Sequence, residues 1–274
     1  MPDTPLIGAV SAPGLHVMSY NIRRRMPRAA PGTPDDWPTR KLLLRRFLQN
    51  ERPTLVGVQE TLAHQQRFVE QALGPSYRSV GYGRNPDREG ERVPIVWDSD
   101  RLELLDWQQL ALSDTPDVPG SRGWGNRIPR MLVTARLRDL DTSAVFRFVN
   151  LHLDHESANA RLESVRMIAG LIGDEPAVVS GDFNAQIGSE PYGELTRTLR
   201  DAWLASDEQL TPPWATFNGW RPISLEGKRI DWMLVTPGID VTRMGVNALR
   251  YNGRSASDHE AVQAVLRMPT AGAR

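Results

Sequence analysis

Cysteine is absent from the 274-residue chain, which removes disulfides, zinc–thiolate sites and a thiol nucleophile together. An excess of charge is absent too. The 33 basic and 33 acidic side chains cancel, so the chain lacks the global positive field that dominates non-specific nucleic-acid binding. No run of about 18 apolar residues occurs, and Met1 to Ser11 lack the basic and apolar segments of a secretory signal. The expectation is a soluble, cytoplasmic protein with no transmembrane segment and no obligate protein partner. Internal repeats and low-complexity tracts are missing as well. A chain of this length can bury one substantial core, so a single domain over 1–274 is expected, with residues 1–14 and 268–274 as flexible ends.

Eight tryptophans are present. Trp124, Trp214 and Trp220 lie in Gly/Pro-rich segments, where an aromatic lines a cleft more readily than it fills a core. Apolar runs with strand character recur at His16–Ser19, Leu55–Val58, Tyr77–Gly83, Pro94–Trp97, Leu102–Leu112, Met131–Leu137, Val145–Leu151, Ile230–Val235, Val241–Leu249 and Ala261–Leu266. Helical spacing appears after Pro38, where Leu43, Leu44, Phe47 and Leu48 share a face. It recurs over Leu62–Leu73, from about Ser157 (Leu162, Val165, Ala169, Ile172), and over Pro191–Leu199. Arg24–Pro38, Ser113–Pro129 and Leu210–Pro222 read as loops. Many strands with a few interspersed helices predict an α/β (α+β) architecture of two packed sheets with helices outside.

The most informative stretch is Ala177–Asn184, an apolar strand running through Gly181 into Asp182 and Asn184. Period-2 geometry puts Asp182 and Asn184 on one side and turns Phe183 inward. A carboxylate can orient or deprotonate a water, while a neutral amide can donate to a phosphate oxygen without adding negative charge. Other polar groups fall at strand ends: Asn21, Glu60, Asn150 with His152, and Asp231 with Ser257–Asp258–His259. Each alone has an ordinary explanation, such as a turn asparagine, an acid at a helix start or a core histidine. Together they fit a site, because strand ends of a layered domain converge on one edge.

The ordered set Ser19-Tyr20-Asn21-Ile22, Val58-Gln59-Glu60, Val149-Asn150-Leu151-His152-Leu153, Gly181-Asp182-Phe183-Asn184, Arg229-Ile230-Asp231-Trp232 and Ser257-Asp258-His259 resembles the endonuclease/exonuclease/phosphatase superfamily. The resemblance spans Tyr20 to His259. It implies a four-layer sandwich, two mixed β-sheets face to face with helices outside, and a divalent metal, Mg2+ or alternatively Mn2+. By the same resemblance Glu60 is the main metal ligand, with Asn21 beside it and Asp258 close by. Oxygen donors suit magnesium, which needs few protein carboxylates when a substrate phosphate completes its shell. Asp182 then activates the water and Asn184 holds a phosphate oxygen. His259, polarised by Asp231, serves as base or phosphate contact. His152, oriented by Glu91, donates to a non-bridging oxygen or assists the leaving group, and both imidazoles are expected to be protonated near neutrality.

One departure stands out. The apurinic-site repair branch carries a carboxylate two residues after the first asparagine, and here that residue is Arg23, which cannot ligate a metal but can contact substrate phosphate. The segments Gly81–Arg84 and Leu112–Asp117, Trp124 with Arg130, and Thr216–Phe217 resemble a bacterial subgroup related to deadenylase-like exonucleases. Arg23, Asn150, Arg130, Trp124 and Glu91 are therefore candidate substrate contacts. The expected activity is metal-dependent hydrolysis of phosphate esters, with a nuclease or phosphodiesterase acting on single-stranded nucleic acid placed first. A phosphatase or a small-molecule or lipid-headgroup diesterase is the alternative, and a catalytically silent binding module comes third.

Overall fold

Side chains alternate along the first strand, β1 (Gly14–Asn21): Leu15 and Val17 turn to one side, Met18 and Tyr20 to the other, and all four are buried. A strand buried on both faces must lie between two apolar layers. The computed structural model describes residues 4–269 and shows where those layers come from. β1 is central to a seven-stranded sheet whose order is β10 (Ser206–Gln209), β12 (Asp240–Asn247), β13 (Ala261–Arg267), β1, β2 (Leu55–Gln59), β4 (Ile95–Asp98) and β3 (Tyr77–Val80). The second sheet has six strands in the order β5 (Leu102–Ala111), β6 (Met131–Asp139), β7 (Val145–His152), β8 (Ala177–Asp182), β11 (Asp231–Val235) and β9 (Arg200–Asp201). Both are mixed: β1 runs parallel to β2, and β7 to β8, while most other pairs are antiparallel.

Three apolar interlayers make this a four-layer sandwich. Leu15, Val17, Leu55 and Ile95 of the first sheet meet Val133, Phe146, Phe148, Val178 and Met233 of the second between the sheets. On the outside of the first sheet, Met18, Tyr20 and Val56 pack against Leu44, Phe47 and Leu48 of α1 (Trp37–Glu51) and Val69 of α2 (Ala63–Leu73). On the outside of the second, Val149, Leu151 and Val179 pack against Val165 and Ile168 of α3 (Ala158–Leu171) and Leu195 of α4 (Glu190–Leu195).

Some local expectations shift. α1 begins at Trp37, inside the stretch read as loop, because Pro38 occupies the first turn, where its missing N–H has no intrahelical partner to lose. α3 starts where Ser157 marks it, its hydroxyl accepting from the Ala160 N–H. β9, α5 (Ala202–Ala205) and β10 were not anticipated, being short, and β10 is largely exposed and polar. Within the stretch 1–14 expected to be flexible, the N–H groups of Leu6, Ile7 and Gly8 donate to the Glu51 carboxylate at 2.8, 3.2 and 3.3 Å. The outermost parts of both expected flexible ends, 1–3 and 270–274, lie outside the described residues.

Candidate active site

Three neighbouring strands of the second sheet end in one polar row. Asp182, the last residue of β8, pairs in register with His152 on β7 and with Asp231 on β11. Residues opposite one another share a sheet face, so an imidazole and two carboxylates gather at the same edge. Gly181 makes the tight β7–β8 approach possible: its φ is 152°, and a Cβ there would lie 2.2 Å from the Leu151 carbonyl oxygen. Behind the row, Phe183 stacks on Trp232 with ring centroids 4.2 Å apart. The strand does not stay extended to Asn184, whose φ is 49°. Its backbone N–H donates to Asp182 Oδ1 at 2.9 Å, and its side-chain NH2 donates to the Leu153 carbonyl at 3.1 Å. One amide N–H of Asn184 is thereby already committed.

The facing sheet completes the cluster. Asn21, at the end of β1, donates through Nδ2 to Asp182 Oδ2 at 3.0 Å and to Glu60 Oε1 at 3.1 Å. Its Oδ1 accepts the Arg23 N–H at 3.0 Å, which fixes the amide's orientation. The Asn21 amide nitrogen thus aligns two carboxylates, while its oxygen holds the Arg23 backbone. His259 Nδ1 lies 2.9 Å from Asp231 Oδ2, and its Nε2 lies 3.7 Å from Asp182 Oδ2. The Ser257 hydroxyl donates to the Asn21 carbonyl at 2.7 Å, tying two distant motifs together. Phe217, marked in the sequence only by the Thr216–Phe217 resemblance and given no role there, sets its ring against His259 at 5.0 Å.

Burial and charge separate the titrating groups. Burial, reinforced by the neighbouring Asp231, raises Asp182 to about 7. Burial works against a charge on His259, but Asp231, then Asp182 and Asp258, outweigh it and raise the imidazole to about 10. Burial also pushes Glu60 up, yet His259, the Asn21 hydrogen bond, Arg23 and the Arg24 N–H together bring it below its ordinary value. Asp258 is raised by burial against the pull of His259. His152 falls well below its ordinary value because it is buried and Arg130, His259 and Arg84 lie around it. The expectation of two protonated imidazoles therefore fits His259 and fails for His152, which is neutral at pH 7.

The proposed orienting acid of His152 is engaged elsewhere. Glu91 accepts two hydrogen bonds from Arg84, at 2.7 and 3.0 Å, and pairs with Arg24 at 3.0 Å; no hydrogen bond joins it to His152 among the described residues. Asn150 is not a substrate contact either. It is fully buried between the sheets, donating to the Val58 and Pro94 carbonyls at 3.0 and 2.9 Å and accepting from Gln59 Nε2 at 2.7 Å. Trp124 is an anchor for its loop, with its indole N–H on Asp114 Oδ1 at 2.7 Å and its ring against the α3-side core. Arg130 is buried, bonded to Asp154 at 3.4 Å and to His155 Nδ1 at 2.8 Å, and lines the small hollow that also holds His152 and Arg84. Arg23, with φ 56°, does reach the site: Nη1 lies 3.8 Å from Glu60 Oε2 and Nε 3.7 Å from Asp258 Oδ2, while Nη2 pairs with Asp35 at 3.2 Å.

Two groupings could receive a divalent ion. Asp182, Asp231 and His259 offer ligand atoms within 4.8 Å of one another, but the imidazole there is a cation hydrogen-bonded to Asp231. Glu60 and Asp258 form an all-oxygen pair, spanned by Arg23 at distances longer than a hydrogen bond. That donor set fits a hard, oxygen-seeking ion.

The endonuclease/exonuclease/phosphatase family model matches residues 18–259. No curated protein sequence gives a significant match. Among solved structures, an endonuclease/exonuclease/phosphatase family protein from Bacteroides thetaiotaomicron is 30% identical, with a TM-score of 0.86, covering 92% of this chain and 94% of its own. A mannosyl-6-phosphatase from the same organism is also 30% identical, with a TM-score of 0.84 over 92% of this chain and 99% of its own. The human nocturnin catalytic domain, solved with a bound sulfate, shares the fold at 16% identity and a TM-score of 0.69, covering 93% and 94% of the two chains.

Proposed function

This chain belongs to the endonuclease/exonuclease/phosphatase family, and from that premise we propose that it is a divalent-metal-dependent phosphoesterase acting on small phosphorylated substrates. The observation that carries the reading is the buried row His152–Asp182–Asp231 closed by His259. A carboxylate raised to about 7 beside an imidazolium raised to about 10 is an acid–base arrangement suited to neutral pH.

In this reading Asp182 accepts the proton of the attacking water. Asn21 holds Oδ2 of that carboxylate and the Asn184 N–H holds Oδ1, which restricts its rotation. Asp231 keeps the His259 Nδ1 proton in place, so Nε2–H points toward Asp182 and is available to the phosphoryl oxygens as negative charge grows there. Neutral His152, with Nε2 3.5 Å from Asp182 Oδ2, adds a second donor without a second positive charge. When bound, Mg2+ or Mn2+ supplies Lewis-acid polarisation of a phosphoryl oxygen, and Glu60 and Asp258 are the residues that would hold it. Arg23, between those two carboxylates, contacts the substrate phosphate.

Small substrates are preferred over nucleic acid for reasons found in the chain. Of the arginines at 23–25 and 28, Arg24 is paired with Glu91 and Arg23 is held by Asp35 at the Glu60–Asp258 pair, which places one guanidinium at the reacting phosphate rather than a continuous basic track for a polyanion. Trp124 is bonded to Asp114 and packed on the core rather than presented as a stacking platform. The similarity at 30% identity to a mannosyl-6-phosphatase points the same way.

The test compares an aryl phosphomonoester, an aryl phosphodiester and labelled single-stranded RNA and DNA, with Mg2+, Mn2+ or EDTA, for wild type and Asp182→Ala. Monoester hydrolysis that disappears with EDTA and with the variant is expected. Faster cleavage of nucleic acid than of either ester would replace this reading with the nuclease. Mn2+ should also raise the wild-type thermal midpoint and leave that of Glu60→Gln unmoved; equal shifts would remove Glu60 from the metal site.

A further inference from the structure

A cavity of about 340 Å³ lies beside the cluster, between the loop before α1, the segment around Trp220 and the turn before β13. It adjoins the Asp258 side of the site through the backbone. The N–H groups of Asn218 and Gly219 donate to the Asp258 carbonyl at 2.9 and 3.1 Å, and Trp220 follows directly. Arg40, in the cavity wall, donates to the carbonyls of Ile22, Arg23 and Arg24, the segment that carries Arg23 to the site.

The wall chemistry is one-sided. Four arginines line the cavity, Arg40, Arg221, Arg250 and Arg254, and no carboxylate does. Two are neutralised behind the wall: Arg250 is bonded to the Glu260 carboxylate, and Arg40 lies 3.7 Å from Asp35 Oδ1. Arg221 and Arg254 are exposed, and neither side chain has an ion pair among the described residues. Their backbones are nevertheless held, Arg221 N–H on the Asn218 carbonyl at 3.0 Å and Arg254 in a reciprocal pair with Tyr251 at 2.9 and 3.1 Å. Two uncompensated guanidinium groups carried on held backbone match one phosphate dianion.

Trp220 adds a platform. Its φ of 65° is a left-handed conformation that a bulky side chain rarely adopts, and Asn218 Oδ1 secures it by accepting the Trp220 N–H at 2.7 Å. With Leu43 and Ile223 also in the wall, the cavity offers apolar surface for a ring next to cationic surface for an anion. Its volume lies within the range of small-molecule sites, about 300–1,000 Å³.

We propose that this cavity is a second-phosphate subsite, so that the substrate is a ring-bearing compound with two phosphate groups. One phosphate ester reacts at Asp182 while the other is held by Arg221 and Arg254, with the ring against Trp220. The inference rests on the phosphoesterase reading above and deepens it by naming the substrate class.

The experiment measures kcat/KM for two pairs with the metal-loaded chain: adenosine 5′-monophosphate against adenosine 3′,5′-bisphosphate, and glucose 1-phosphate against glucose 1,6-bisphosphate. Wild type should favour the bisphosphate in at least one pair by about tenfold or more, and the pair that shows it identifies the ring as base or sugar. In the double variant Arg221→Gln/Arg254→Gln the ratio should fall toward one, mainly through KM. Calorimetry in EDTA with the same bisphosphates gives a readout without turnover, binding by wild type and at least tenfold weaker binding by the double variant. Circular dichroism melts identify a variant that fails to fold, in which case the single variants Arg221→Gln and Arg254→Gln replace it. Hydrolysis of an aryl phosphate with no bisphosphate preference in either pair would overturn the subsite and leave the phosphoesterase reading intact. Arginine-dependent binding without hydrolysis of any ester would do the reverse.

Discussion

Asp231 Oδ2 lies 2.9 Å from Nδ1 of His259, with the two residues only 1% and 4% exposed. Burial alone would discharge the imidazole, and the carboxylate is the main reason it stays protonated up to about pH 10. Asp231→Asn should therefore return His259 toward or below its ordinary value of 6.5, moving the alkaline limb of kcat/KM from near pH 10 to neutral pH or lower. The rate at the optimum should fall by about 10²-fold or more as a charged donor is lost. A full pH–rate profile with an aryl phosphate reads both effects. An unmoved alkaline limb would mean that His259 is not the group whose proton is needed.

Asp182 is expected to trade stability for activity. Its folded value of about 7 stands above the ordinary 3.8, so the folded chain binds the extra proton between those limits. The stabilising contribution is complete below 3.8 and is lost as pH rises through 7. Above that the ionised, buried carboxylate is a cost that an amide avoids. Asp182→Asn should lose activity by about 10²–10⁴-fold, while its thermal midpoint in EDTA, relative to wild type, improves between pH 5 and pH 8.5. A relative midpoint that does not change over that interval would contradict the raised value.

The parts of this site legible in the sequence are those where one strand end carries its own chemistry. Asp182, Asp231, His259 and Glu60 sit at or just beyond strand ends, and the fold brings those ends to one edge. What depends on partners from separate loops was not legible. Asn150 and His152 share a face of β7, but the sequence does not say where along that face the interior stops; the carbonyls of Val58 and Pro94 in the opposite sheet claim Asn150. Glu91 is likewise claimed by Arg84 and Arg24. Asn184 returns toward Asp182 through a left-handed turn, a conformation that period-2 reasoning does not contain.

The Asn150 bridge predicts a stability defect separate from the chemistry. Gly57 lacks a side chain where one is impossible: a Cβ there would lie 2.6 Å from Asn150 Oδ1. Asn150→Ala removes the side-chain donor from the buried Val58 and Pro94 carbonyls and the shortest acceptor from Gln59 Nε2, leaving Pro94 the Val58 N–H and Gln59 the Ser19 hydroxyl and Gly57 carbonyl, and Gly57→Ala forces the bridge apart. Each should cost about 2–4 kcal/mol in urea unfolding. The kcat of the fraction that remains folded should stay within a few-fold of wild type. If Asn150→Ala instead removed activity with little change in stability, Asn150 would be a site residue after all.

Acid sensitivity should have a source remote from the site. His16 on β1 is fully buried, with Nδ1 2.8 Å from the Gly8 carbonyl, under the segment that Glu51 also holds. Burial lowers the imidazole from 6.5 to about 4. The unfolded chain therefore binds a proton that the folded chain refuses between those values, so stability falls as pH drops through that window and recovers as it rises. The loss attributable to His16 should approach about 3 kcal/mol once pH is below 4. His16→Gln cannot take up that proton. Urea titrations at pH 7.5 and pH 4.5 should show the wild type losing about 2–3 kcal/mol more than the variant between the two conditions. Equal losses would mean that the imidazole charges without unfolding and that the acid response lies with the carboxylates.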